Sequence, residues 1–244
     1  MIQLPRFVVA RASIEGAIAR LMGTELHHLR DVRRLLPGNE VTLIDETNQI
    51  YRGRIQRFES DCAIISVERQ EMSRLAPEII LAVGFIKGPR MDLLVEKAVE
   101  LGASELIPLA TARSVVRAIA AQRLERWRRL TIAAAKQSLA PRRMTLRSPA
   151  TVAQLVRDLP QDTLAVICLI DAPRLSALIR AANPRRLLLA CGPEGGFDPD
   201  EIALMRDAGF RAAALGPNRL RSETAALAAL SIASAIIDEI TGRS

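Results

Sequence analysis

The chain has 244 residues, 49% hydrophobic and 25% charged, a balance that supports a sizeable core and argues against dominant disorder. A formal net charge of +7 favours a polyanionic partner, and Arg carries nearly all of it, since Lys87, Lys97 and Lys136 are the only lysines. Arg-rich codon usage gives the same composition without a nucleic-acid role, so charge leaves both explanations open; aromatics at 3% exclude a surface built mainly on base stacking.

In chain order, MIQLPRFVVARAS comes first, with Pro5 and Arg6 where a signal peptide needs an unbroken apolar segment. A short helix is expected near Glu25–Leu35, where Leu26, Leu29 and Arg33 fall at helical spacing. Short β-type runs follow at Glu40–Ile44, Ile50–Ile55 and Ala63–Glu68, separated by turn formers at Pro37-Gly38-Asn39 and Glu46-Thr47-Asn48. Closely spaced strands of this kind suggest a small β-barrel or sandwich over residues 1–72, and Ser73–Pro77 reads as the link to a second domain, 73–244.

Beyond the link, strands alternate with helices. Strands are expected at Ile79–Ile86, Glu105–Leu109, Leu164–Ile170, Leu187–Cys191 and Ala212–Leu215, and helices at Met91–Leu101, Leu124–Leu139, Pro199–Ala208 and Glu223–Ile240. Such alternation implies a mostly parallel sheet between helices, an α/β fold. Gly102 stops the first helix; Asp198-Pro199-Asp200-Glu201 supplies a cap, a first-turn proline and a reciprocal Glu for the third. The nearly apolar run Ala225–Ile237 is too short to span a bilayer and reads as a buried helix. Cys62, Cys168 and Cys191 are far apart and odd in number, which suits a reducing cytoplasm. The only histidines, His27 and His28, are sequence neighbours that point apart, and no cluster has zinc spacing, so no metal is expected.

Two segments draw attention to chemistry. Leu187–Cys191 runs into Gly192-Pro193-Glu194-Gly195-Gly196-Phe197, a strand ending in a glycine-rich loop before a capped helix. Ligands of open α/β sheets sit beyond such strand ends, although a plain tight turn explains the loop equally well. Pro193 and Glu194 break the GxGxxG fingerprint, and no Gly-Lys-Ser/Thr follows, which disfavours a phosphate-rich cofactor and a Rossmann-type nucleotide enzyme. The second loop, Leu215-Gly216-Pro217-Asn218-Arg219-Leu220-Arg221, also leads into an apolar helix, with Ser222 as the expected N-cap and Glu223 in the first turn. Capping does not explain Arg219 and Arg221, because positive charge is unfavourable at a helix N-terminus.

Together, GPEGGFDPDEIALMRDAGF and LGPNRLRSETAALAAL resemble the RsmE family, the small-subunit ribosomal RNA uridine-N3 methyltransferases of the knotted SPOUT class. The resemblance covers nearly the whole chain, through Lys87-Gly88-Pro89-Arg90-Met91-Asp92, Glu96–Gly102, Glu105–Leu109, Arg113-Ser114-Val115-Val116, Arg126-Trp127, Ala133–Ser138, and at the front Pro5–Val9, His27-His28-Leu29 and Val32–Leu35. It departs at Asn218, where the family usually has Arg, at Leu139-Ala140 in place of Gly-Arg, and at Lys136, where Glu is frequent. The family implies a deep trefoil knot in the C-terminal domain, a PUA-like N-terminal RNA-binding barrel, a homodimer and a cytoplasmic location, with no membrane role. It implies S-adenosylmethionine held among Leu169, Gly192, Gly196, Leu215, Gly216, Leu220, Arg221 and Thr224, with 16S ribosomal RNA or the small subunit as partner. Arg221 is the expected group for uracil, Glu223 or Glu194 either accepts the proton or only orients the loops, and Arg6, His27, Arg30, Arg33 and Arg34 are the expected RNA contacts, with ordinary solvated charge as the alternative for the arginines. Alternatives are a knotted methyltransferase acting on another RNA and a non-catalytic RNA-binding assembly factor.

Overall fold

A computed structural model describes residues 4–45, 49–69, 77–114, 119–138, 140 and 143–242. The turn expected at Glu46-Thr47-Asn48, residues 73–76 of the link, Val115-Val116 and Leu139 lie outside the described residues. The chain divides into two compact units, Met1–Leu75 and Ala76–Ser244.

The first unit contains strands β1 (Arg6–Val8), β2 (Ile14–Glu15), β3 (Ile18–Met22), β4 (Glu40–Ile44), β5 (Ile50–Phe58) and β6 (Cys62–Arg69). They form one six-stranded sheet in the order β1-β4-β5-β6-β3-β2. Only the β1–β4 pair is parallel. Burial alternates along β3 and β5, so every second side chain faces a core that includes Phe7, Leu21, Leu43, Ile55 and Ile65. The helix expected near Glu25 starts earlier, as α1 (Gly23–His27), and widens into a π turn over His28–Val32 that buries Leu29. Asp45 is fully buried, yet its carboxylate accepts bonds from the Tyr51 hydroxyl (3.1 Å) and the Gln49 amide (2.9 Å), and Arg11 lies 3.6 Å away. A buried carboxylate is tolerable only with such partners.

In the second unit, β7 (Glu78–Gly84), β8 (Glu105–Ala110), β9 (Thr145–Leu146), β10 (Ala150–Thr151), β11 (Thr163–Cys168), β12 (Arg186–Cys191) and β13 (Arg211–Ala213) form a seven-stranded sheet. The order is β10-β8-β7-β12-β11-β13, with β9 also beside β8, and every pair is parallel. Strands β7 and β12 are buried almost end to end, because helices cover both faces of the sheet. Ile79, Leu81, Val83, Leu187, Leu189 and Cys191 face one core, shared with α2 (Pro89–Glu100), α3 (Ala121–Gln137), α5 (Leu175–Ala182) and α7 (Ser222–Thr241). Ile80, Ala82, Leu188 and Ala190 face the other, with α4 (Val152–Arg157) and α6 (Pro199–Asp207).

Helix α7 extends one residue beyond each end of the helix expected at Glu223–Ile240. Its 20 residues are long and apolar enough to cross a membrane by length and composition. It lies instead against β7, β12, α2 and α5, with Ala226, Ala229, Leu230, Ala233, Ile236 and Ile237 in the core.

Candidate active site

The chain leaves β12 at Gly192 and turns back at once. The Gly196 amide donates to the Pro193 carbonyl at 2.8 Å, with Gly196 at φ 71°, a conformation costly for a residue with a Cβ. Asp198 then caps α6: its side chain accepts from the Asp200 amide at 3.2 Å, and Glu201 accepts from the Asp198 amide at 2.9 Å. The other Glu201 oxygen accepts from the Ala112 amide at 2.9 Å, while Arg113 reaches the Gly195 carbonyl at 3.4 Å and Asp198 at 3.3 Å. The segment after β8 therefore holds this loop from one side. The end of β7 holds it from another, since a Cβ placed on Gly84 would stand 2.5 Å from the Pro193 ring.

The second loop leaves β13 and crosses to α7. Ser222 is not its N-cap, contrary to the sequence reading: Arg221 occupies the cap position without a side-chain cap bond, and Ser222 is the first helical residue. The helix starts one residue earlier than the hydroxyl suggests, and Ser222 is buried, 5% exposed, on the wall of the cavity described next.

Between the loops, at the carboxyl ends of β11, β12 and β13, lies a cavity of about 740 Å³. That is the size of a cofactor site. Leu169, Leu215 and Leu220 give it apolar wall, and Gly192, Gly196 and Gly216 bring bare backbone to its edge. Glu194 and Arg221 also line it. Glu223 and Thr224 do not: Thr224 is exposed on the first turn of α7, and Glu223 is tied to Arg90 at 3.5 Å. The lining also includes groups not singled out in the sequence, among them Asp171 and Arg206. Its cations, Arg206, Arg219 and Arg221, outnumber its anions, Asp171 and Glu194, which favours a ligand with anionic groups.

Two further features escape sequence reasoning. Arg90, in the first turn of α2, lies 3.2 Å from Glu194 and 3.5 Å from Glu223, so one guanidinium joins the first loop to the start of α7, just after the second. No spacing rule connects residues 133 positions apart. Cys168 and Cys191, distant in sequence, end neighbouring strands; a hydrogen bond to Cys168 and complete burial together push the Cys191 thiol well above its usual range.

In the first unit, Arg30, Arg33 and Arg34 are exposed in and just after the π turn. Arg34 has a φ of 51°, unusual outside glycine. Arg30 and His27 both engage Asp31, at 3.1 and 2.8 Å, and these bonds hold the Asp31 carboxyl below its usual range. Arg6 is half-buried, and that burial lowers its pKa. His28 packs edge-on against Phe7, 5.9 Å between ring centres, which makes it a packing residue.

Residues 73–234 match the family model described as an RNA methyltransferase domain. The chain is 31% identical to ribosomal RNA small subunit methyltransferase E of Synechocystis sp., over 96% of this chain and 78% of the relative. It is 30% identical to the protein of that name from Bacillus subtilis, over 89% and 90%. Among solved structures, a ribosomal RNA small subunit methyltransferase E from Neisseria gonorrhoeae bound to S-adenosyl methionine superposes with a TM-score of 0.79 at 29% identity, covering 98% of both chains. A Legionella pneumophila protein in complex with the same cofactor gives 0.74 at 29% identity, covering 96% of this chain and 98% of that one.

Proposed function

Because this chain belongs to the RNA methyltransferase family that includes the ribosomal RNA small subunit methyltransferase E proteins, we propose that it methylates N3 of a uridine in 16S ribosomal RNA, using S-adenosylmethionine. The observation that carries this reading is the single cavity formed by both glycine loops, with Arg221 on its wall.

The residues fit the cofactor. Leu169, Leu215 and Leu220 offer flat apolar contact for adenine, and Gly192, Gly196 and Gly216 let backbone groups come close to polar parts of the ligand. When bound, S-adenosylmethionine supplies a methyl group on a sulfonium, which makes that carbon electrophilic. The chain has three tasks around it: to take the imino proton from N3, to stabilise the charge left on the ring, and to align the nitrogen with the methyl carbon. Arg221 is the group for the ring charge, being a cavity-wall guanidinium at a helix cap, where a ligand of opposite charge offsets the unfavourable helix dipole. Glu194, one of two carboxylates on the wall with Asp171, is the candidate proton acceptor. Glu223, outside the lining, has an orienting role. The uridine must be presented unstacked for its N3 edge to enter.

The finer architecture follows from family membership. The second unit carries a deep trefoil knot, a reading supported by the path from edge strand β13 back through the second loop to α7, which packs on β7 and β12. The first unit is a PUA-like domain that contacts RNA phosphates through Arg30, Arg33 and Arg34. The protein works in the cytoplasm as a homodimer; Ala225, Ala228 and Ala235 of α7 lie outside the core and permit close approach of a second helix.

Mass spectrometry of small-subunit RNA tests the function. Deleting the gene removes one methylated uridine, and the intact gene restores it while the Arg221→Ala form does not. A modification pattern that deletion leaves unchanged refutes the substrate. S-adenosylmethionine binding without transfer points instead to a non-catalytic assembly factor.

A further inference from the structure

Arg90 stands where its charge is unwelcome, at the second residue of α2, near the positive end of the helix dipole. The backbone sets it there: Gly88 adopts φ 73° and ψ −149°, and Pro89 starts the helix. Its guanidinium bridges two carboxylates, one in the first loop and one in the first turn of α7, with one nitrogen 3.2 Å from Glu194 and the other 3.5 Å from Glu223. Among the described residues Arg90 is the only cation within ion-pair reach of either. Glu223 needs it most, because its side chain is only 13% exposed and its second oxygen is buried without a partner. Removing the cation from such a carboxylate leaves an uncompensated charge, which the start of α7 and the loop leading into it relieve by moving toward water.

The geometry points to Arg90 as a positioning residue for methyl transfer. It fixes the distance between the two cofactor loops by tying Glu194, on the cavity wall, to Glu223, two residues beyond Arg221 on the same short stretch of chain. The inference rests on the cavity being the S-adenosylmethionine site. The planar fork suits the bridge, since two separate guanidinium nitrogens each take one carboxylate in a fixed geometry, whereas a lysine ammonium offers a single compact charge on a flexible stem.

Isothermal titration of S-adenosylmethionine into the full chain, combined with transfer kinetics, tests the bridge. Arg90→Gln raises Kd about tenfold and lowers kcat, and Arg90→Lys recovers part of the loss, as expected for coupled contacts in one network. A loop clamp predicts non-additivity: Arg90→Gln combined with Glu194→Gln binds no more weakly than the worse single variant. Arg180→Gln, which breaks the unrelated Arg180–Glu239 pair, leaves Kd unchanged. If Arg90→Gln loses its thermal transition, Arg90→Lys alone carries the comparison. A wild-type chain that does not bind S-adenosylmethionine overturns the cavity assignment. Wild-type binding with an unaltered Kd in Arg90→Gln, or fully additive losses in the double variant, overturns the bridge and leaves the cavity assignment intact.

Discussion

Replacing Gly84 with alanine gives a sharp test of how the first loop is held. The new Cβ would lie 2.5 Å from both the ring carbon and the nitrogen of Pro193. Carbon atoms rest at about 3.5–4.0 Å, so roughly 1 Å of displacement is needed. The obstructing atoms are backbone and a rigid ring, and no rotamer change clears them. Either β7 shifts within a sheet buried on both faces, or the Pro193 loop is pushed outward; the loop is the softer element. Overpacking of this kind costs about 1–3 kcal/mol. For a chain of this size that corresponds to a fall in Tm of about 2–12 °C. A 1 Å misplacement of a catalytic group can lower rate by about 100-fold, so the loss in transfer should exceed the loss in stability. Gly216→Ala is the matched control: its Cβ meets nothing nearer than Arg174 at 3.9 Å, so Tm holds and any loss of cofactor affinity reports contact within the cavity. Scanning calorimetry and a methyl-transfer assay read both quantities. A Gly84→Ala protein with wild-type Tm and turnover would refute the close-approach reasoning.

Further outcomes follow from other parts of the molecule. Asp198→Ala removes the N-cap of α6 and the partner of Arg113, and should lower stability by about 1 kcal/mol, measurable as a small fall in Tm. Alkylation at about pH 8.5, the ordinary thiol pKa, should leave Cys191 unlabelled in the folded chain and label it in denaturant, as read by mass spectrometry. Because folding raises that pKa, the unfolded chain ionises first, and the thiol's contribution to stability declines as pH climbs above the ordinary value. Arg33→Ala and Arg34→Ala should each weaken RNA binding with little sequence preference. Each should also make the salt dependence shallower by about one unit of slope for every phosphate no longer neutralised, measured by titration over a salt series.

Much of the fold is legible in the sequence because the relevant signals are local. The period-two alternation of β5 and the unbroken apolar run of β12 mark one half-buried and one fully buried strand, and Asp198 with Glu201 announces a helix start three residues wide. Thr151 and Gln154 form a second capping box on α4 by the same rule, but α4 spans only six residues and shows too little periodicity to draw the eye. β1 is also too short for a pattern, and its parallel partner β4 lies beyond an intervening hairpin and helix. At Ser222 the local signal misleads: a hydroxyl beside an apolar run reads as a cap, but tertiary burial claims it for the cavity wall. Arg90 and Gly84 are hidden for a different reason. Each acts on a residue more than a hundred positions away, and only the sheet order, with β7 beside β12, brings them together.

That ordering carries a cost during synthesis. The strand that props the first loop and the arginine beside it leave the ribosome early, whereas the carboxylate that completes the bridge rides on α7 and emerges after every strand of the sheet. A nascent chain therefore carries a half-built cavity, with apolar strand ends uncovered, until its final long helix arrives. Shortening that helix should impair cofactor capture as well as stability, since the same segment closes the core and anchors the second wall.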